Sequence, residues 1–175
     1  MPSISVTTLF NFSRMKVTFS EVAESRTFNF AGVVLMPDLR YSPVCSSCGQ
    51  RSSSVHTTRS RIVRDLPLGS FRKPKINFVY RLLKCSNCKG IYTESNSVAS
   101  VGGPRVTHRL ASYVKDLCKI MTIQEVTDHL ELDWKTVKNI DKEALQQEHL
   151  RTDYTGLRIL AVDEIAYAKY HRYLT

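Results

Sequence analysis

The sequence predicts an α+β chain made of several small domains, and three observations predict it. Two C-x-x-C pairs, Cys45/Cys48 and Cys85/Cys88, bracket a stretch with the apolar pattern of strands. Near residue 105 the apolar period changes to that of helices, and three helical segments follow. Close to the end, Leu157 to Val162 form an almost continuous apolar run that reads as a buried strand. Asp163 and Glu164 come next, then a second β-rich run, Tyr170 to Leu174. With 175 residues and 42% apolar content, the chain can build two or three small cores.

The first β-rich stretches, MKVTFSEVAES and RTFNFAGVV, lie within residues 1–37 and read as a hairpin of undefined role. Residues 38–95 hold the cysteine pairs. Two residues between cysteines let both sulfurs face one point around a tight turn. Two such turns offer a tetrahedral set of thiolates to Zn²⁺, at about 2.3 Å from each sulfur. Gly49 and Gly90 follow the pairs, where such a knuckle needs positive φ. Disulfides belong to secreted chains, and a redox C-x-x-C comes singly within a βαβ pattern, so zinc is the better account. Cys45, Cys48, Cys85 and Cys88 fill the coordination sphere, which makes the metal structural rather than catalytic. His56 is left as a surface or phosphate-contacting group, and Cys118, on an apolar helical face, as core. Strands from Arg61 to Arg64 and Lys75 to Leu83 flank a turn with Pro67 and Gly69. The segment therefore reads as a β-rich zinc ribbon with a long insert between its halves.

The formal net charge of +9 is concentrated. Residues 51–90 carry Arg51, Arg59, Arg61, Arg64, Arg72, Lys73, Lys75, Arg81, Lys84 and Lys89 against a single acid, Asp65, and the remainder of the chain is balanced. A polyanion is the natural partner of such a block, with Arg59, Arg61, Arg64, Lys73 and Lys75 as candidate contacts; a solvated basic face is the alternative. No apolar run reaches the ~18 residues of a membrane span. The amino terminus also lacks the basic, apolar and small-residue succession of a secretion signal. A soluble, cytoplasmic protein is expected, with no membrane partner.

Residues 96–105 read as a linker from their Ser, Gly and Pro content, and residues 106–152 as helices. Val106, Leu110, Val114 and Leu117 recur at helical spacing. Thr122 and Glu125 form a capping box before a helix with Ile123, Val126 and Leu130 on one face. Asp133 caps a third helix, whose expected buried face is Trp134, Val137, Ile140 and Ala144. The short turn from Leu130 to Asp133 matches a helix-turn-helix. Such a motif inserts the start of its last helix into the major groove of DNA. Here the exposed positions are Lys135, Thr136, Lys138 and Asn139, all able to contact phosphates or base edges. A small bundle with an ordinary polar face would share the pattern, but the basic block beside it favours DNA.

Several of these stretches together resemble one family. CSSCG, VHTTRSRIVRDLPLGS, KCSNCKGIYTE, WKTVKNID and LAVDEIAYAKYHRYLT are similar to segments of the ISL-three family of bacterial insertion-sequence transposases, from about Cys45 to Thr175. The most specific parts are the R-x-x-R-D-L-P turn and the final D-E-x-A…K-x-H-R-Y-x-T run. The resemblance implies that residues 153–175 begin a ribonuclease-H-like catalytic domain with a DDE triad. Asp163 stands at the triad's first Asp, and Lys169, His171 and Arg172 match the basic run after it. Such a triad works through two divalent ions, Mg²⁺ or Mn²⁺. One activates the attacking water or 3′-hydroxyl, and the other stabilises the leaving oxygen. Tyr170 stands where family members often carry Gly, and RLLKC is less basic than usual at that place.

The expected fold is thus a zinc ribbon, a three-helix helix-turn-helix and the first strands of a truncated ribonuclease-H-like domain. Family members continue further and supply the second Asp and the Glu. Asp141, Glu143 and Asp153 belong to the third helix and its exit and do not replace them. The expected function is that of the DNA-binding amino-terminal portion of such a transposase. It would recognise the element's terminal inverted repeats in double-stranded DNA and be catalytically incomplete alone, with a homodimer left open. Two alternatives share its motifs: a free-standing zinc-ribbon and helix-turn-helix regulator, and a zinc-ribbon module that binds protein or RNA.

Overall fold

Strand pairing between the cysteine pairs organises the molecule. The structure, a computed structural model, describes residues 9–24, 29–52, 54–68, 72–150 and, beyond these, 153, 155–156, 158–159, 165–168 and 172–174. It divides into two compact units, 1–143 and 144–175. In the first, β1 (Met15–Glu24) and β2 (Asn29–Pro37) form the expected antiparallel hairpin, with a bulge between Val17 and Phe19. β3 (Val55–Arg64) and β4 (Lys75–Cys85) pair antiparallel, β3 beginning at Val55 rather than at Arg61. β5 (Gly90–Thr93) follows the second cysteine pair and folds back on β4.

β4 is the spine of this five-stranded sheet. β3 lines one of its edges, so β2 and β5 share the other. Gly32–Leu35 of β2 run parallel to Lys75–Phe78, and β5 lies antiparallel to Leu82–Cys85. The amino-terminal hairpin is therefore part of the same sheet as the strands between the cysteines. Alternation along β4 sends Ile76, Phe78 and Tyr80 into a core shared with Val33, Leu35 and Val63, as the two-residue period requires.

The stretch that composition marks as a linker completes this core. Val98 and Ala99 are fully buried in it, beside Phe10 and Phe12. Asn96 Oδ1 accepts from the Val98 and Ala99 N–H groups at 3.0 and 3.1 Å, and Ser97 Oγ donates to the Ser13 carbonyl at 3.1 Å. The segment is irregular, as its Ser and Gly content demands, yet it is packed and hydrogen-bonded. Composition reports backbone freedom and is silent on burial.

Three helices follow among the described residues: α1 (His108–Cys118), α2 (Ile123–Leu130) and α3 (Trp134–His149). Thr107 caps α1, the Thr122/Glu125 capping box starts α2 with both of its hydrogen bonds present, and Asp133 Oδ2 accepts from Thr136 N at the start of α3. Val106, Leu110, Val114, Val126, Leu130, Val137 and Ile140 form a second core, which Leu117, Cys118 and Ile123 border. Trp134 departs from expectation: it is 43% exposed. Leu132, in the turn, packs against the helical core instead, and Trp134 swings out along the helix towards Lys138. Ala144 is buried, as expected.

The second unit contains a two-stranded antiparallel ribbon, β6 (Ile165–Ala168) with β7 (Arg172–Leu174), the latter inside the predicted Tyr170–Leu174 run. Of the strand expected over Leu157–Val162, only Arg158 and Ile159 are described. Neither is in a strand, and Ile159 is 86% exposed. An apolar run becomes a buried strand only where neighbours pair with it and cover it. Asp163, Glu164, Lys169 and His171 lie outside the described residues. No described helix is long and apolar enough to cross a membrane.

Candidate metal centre and nucleic-acid face

Two turns carry the cysteines. In the first, Gly49 N donates to the Cys45 carbonyl and Cys45 N to the Gln50 carbonyl, at 3.0 and 2.9 Å. In the second, Cys88 N points at Cys85 Sγ, 3.5 Å away. Backbone pairing brings the turns together: Cys45 bridges Glu94 just past β5, Ser46 N donates to the Thr93 carbonyl, and Ser95 N to the Val44 carbonyl. The Sγ atoms of Cys45, Cys48, Cys85 and Cys88 all lie within 4.8 Å of one another, with Cys48 and Cys85 3.6 Å apart. A tetrahedral zinc thiolate site with Zn–S near 2.3 Å has S···S edges of about 3.8 Å, so this set fits a metal of that kind. The donors are all soft sulfur and fill four positions, which suits a closed site. His56 is exposed on β3 and stands apart from the cluster.

The electrostatics of the turns prepare the ligands. Hydrogen bonds from the Gln50 backbone and from Asn87 hold the Cys48 thiol down at about 6, while Cys88, sharing a proton with Cys48, is pushed up to about 12. One sulfur is thus ready as thiolate, and metal binding displaces the remaining protons; affinity falls as pH falls. Beside the cluster, Arg81 and Glu94 form a buried two-point pair, both bonds 2.6 Å, that ties β4 to the chain after β5.

Positive φ occurs at the residue after the second cysteine of each turn. In the first turn this is Gly49, φ 71°, as expected; in the second it is Lys89, φ 54°, and not Gly90. Gly90 instead opens β5, where a β-carbon would come 2.9 Å from the Tyr92 ring. The two turns are equivalent in backbone but not in sequence. Gly49→Ala should cost about 1 kcal/mol, since open space surrounds Gly49 and only the backbone resists. Lys89→Gly should leave stability within about 0.5 kcal/mol, relief of strain offsetting the freer unfolded chain. Denaturant titration of the metal-loaded variants measures both.

The basic block is not one free surface. Arg61 donates to the Ser100 and Gly103 carbonyls at 3.2 and 2.5 Å. Arg64 donates to the Glu131 carbonyl at 2.6 Å, to the Leu130 carbonyl, and to the Arg72 carbonyl at 3.2 Å; burial pushes its guanidinium pKa down. Asp65, fully buried, accepts from Thr107 Oγ1 and Arg109 Nε, both at 2.7 Å, and from Arg109 Nη2. The R-x-x-R-D-L-P turn is thus a bracket. Consecutive residues Arg64 and Asp65 grip the end of α2 and the start of α1, and Leu66 packs on the helical core. Arg109 also lies over the Phe12 ring, 4.8 Å from its centroid.

Lys73 pairs with Glu131, whose φ of 51° makes the left-handed turn between α2 and α3, and this pairing draws the Glu131 pKa down. Arg59 and Lys75 are exposed on β3 and β4. On α3, Lys135, Lys138 and Asn139 are exposed and Thr136 is half-buried. Lys138 Nζ sits 4.9 Å over the Trp134 ring. Thr107, Arg109 and Glu131 were not visible as functional positions in the sequence. The one signal was Asp65, a lone acid in a basic block.

A model of the helix-turn-helix domain of transposase family ISL3 matches residues 103–145, which span α1, α2 and most of α3. A curated relative, the transposase for insertion sequence element IS1001 of Bordetella parapertussis, is 38% identical over 133 residues. The chain carries an ISL3-type transposase amino-terminal part. The aligned stretch is 75% of this chain and 32% of that transposase, so the chain spans about a third of its length. No solved structure matches it. The match to the helix-turn-helix domain covers Thr107, Arg109 and Glu131, the residues that the bracket holds.

Proposed function

We propose that this ISL3-type segment binds double-stranded DNA at the terminal inverted repeats of its element, in the cytoplasm. The observation that carries this is the helix-turn-helix, with Lys135, Lys138 and Asn139 exposed at the start of α3. Thr136 contributes its hydroxyl, Arg59 and Lys75 contribute charge from the sheet, and Lys73, just before β4, contributes through its pair with Glu131 beside the start of α3. Arg64 serves instead to hold the end of α2, and Arg61 to hold the irregular segment that precedes α1. The cysteine cluster is a structural zinc site closing the ribbon; bound there, zinc supplies cross-linking of the two turns and no chemistry on DNA. Asp163 is proposed as the first acid of the triad, acting with Mg²⁺ or Mn²⁺ only where the other two acids are present.

The test uses the zinc-loaded 175-residue chain, a duplex carrying the element's end and a shuffled duplex. Affinity for the end should exceed that for the shuffled sequence and fall steeply with salt, each neutralised phosphate adding about 0.9 to the log–log slope. Lys138→Ala should lower that slope by about one without changing preference, whereas Asn139→Ala should relax preference at one base pair by about 1–3 kcal/mol. With Mg²⁺ the end should stay uncut. Equal affinity for both duplexes, or a flat salt dependence, would overturn the proposal.

A further inference from the structure

The chain has a single tryptophan, and it lies on the outer surface of the helix-turn-helix. Trp134 opens α3 and is 43% exposed, while Val137 and Ile140 behind it are 0% and 6% exposed and carry the core. Its indole is not needed there, because Leu132 packs against that core. Lys138, one turn on, holds its ammonium 4.9 Å over the ring, which sets a positive charge against an apolar plate. The nearby Asp133 carboxylate accepts the Thr136 N–H as the helix cap.

An exposed ring of this size on a basic face calls for a partner that offers a small apolar group flanked by anions. The major groove presents one: the 5-methyl group of thymine between two rows of phosphates. We infer that Trp134 is a specificity-determining residue that packs against a thymine methyl, with Lys138 released to an adjacent phosphate. This rests on the DNA-binding reading above and adds to it a residue and a base.

The sole tryptophan makes the test direct. Adding the element-end duplex to the zinc-loaded chain should blue-shift the emission and protect it from acrylamide. Replacing thymines one at a time by uracil, which removes only the methyl, should weaken binding at one position about fourfold, the factor expected for one methyl's apolar burial. Trp134→Ala should abolish that uracil effect while keeping zinc content and helical circular dichroism. Trp134→Phe should retain most of it. An unchanged spectrum with intact DNA binding, or a uracil effect equal in the parent and Trp134→Ala, overturns this inference alone. A blue shift that grows with protein concentration in the absence of DNA assigns the ring to contact between copies and also overturns it. Absence of binding to any duplex overturns the DNA reading and this inference together.

Discussion

Cys85→Ser is expected to remove the zinc and loosen the cysteine end of the sheet. Cys85 ends β4, is 2% exposed, and its sulfur is 3.6 Å from that of Cys48. A serine oxygen cannot replace a buried thiolate ligand, and three sulfurs hold zinc far less well than four. Structural zinc contributes roughly 10–16 kcal/mol of apparent binding free energy in small zinc-finger peptides, so losing most of it outweighs any other single change expected here. Without the metal, the turn at Cys45–Gly49 is tied down by a few backbone hydrogen bonds, from Ser46 to Thr93 and from Ser95 to Val44. Proteolysis should then begin around residues 45–52 and 85–95. The helices should persist, because their core from Val106 to Ile140 is separate from the cysteine cluster. Elemental analysis should find zinc in the parent and almost none in the variant. Cys118→Ser, at the border of the helical core, should keep the metal. Equal zinc in parent and Cys85→Ser would refute the assignment.

How far these features could be read from the sequence depended on how local their causes are. The cysteine spacing, the capping box at Thr122 and Glu125, and the three-turn apolar stripe of the helices each follow from residues a few positions apart, and each is present. The β1–β2 hairpin was legible for the same reason, but its parallel pairing with β4 was not, since nothing within either strand encodes that register. Val98 and Ala99 sit in a stretch whose composition says loop; their burial is decided by Phe10, Phe12 and the sheet, far away in sequence. Charge was the least transparent feature. A row of arginines reads as a polyanion surface, yet Arg61, Arg64 and Arg81 turn to carbonyls and to Glu94, because a guanidinium can satisfy several buried acceptors at once. Trp134 was misplaced because helical period alone cannot say whether a first-turn residue still has a helix facing it.

Asp65→Asn is expected to destabilise the protein by about 3 kcal/mol while leaving its zinc in place. The carboxylate is fully buried and accepts three hydrogen bonds, from Thr107 Oγ1 and from two nitrogens of Arg109. Asparagine keeps the shape but removes the charge and turns one acceptor into a donor, which then faces either a guanidinium or a hydroxyl. Thr107 cannot relieve the conflict freely, because its oxygen already accepts the Leu110 N–H as the cap of α1. Breaking a buried pair by changing one partner costs about 3–5 kcal/mol, and the low end applies here because the Arg109 side chain is 31% exposed and can regain some water. Against a total stability of about 5–15 kcal/mol, that is a large fraction. The zinc site should not register the change. Asp65 N bonds to the Pro74 carbonyl, just before β4, whereas Cys85 ends that strand, so roughly 35 Å of extended chain separates them. Denaturant titration combined with elemental analysis distinguishes the two ends of the sheet: stability should fall and zinc should stay. The same variant should bind the element's end more weakly, because α1 and α2 are no longer held from both sides and α3 loses its fixed orientation. If Asp65→Asn proved as stable as the parent, the bracket formed by Arg64 and Asp65 would not be what joins the helices to the sheet.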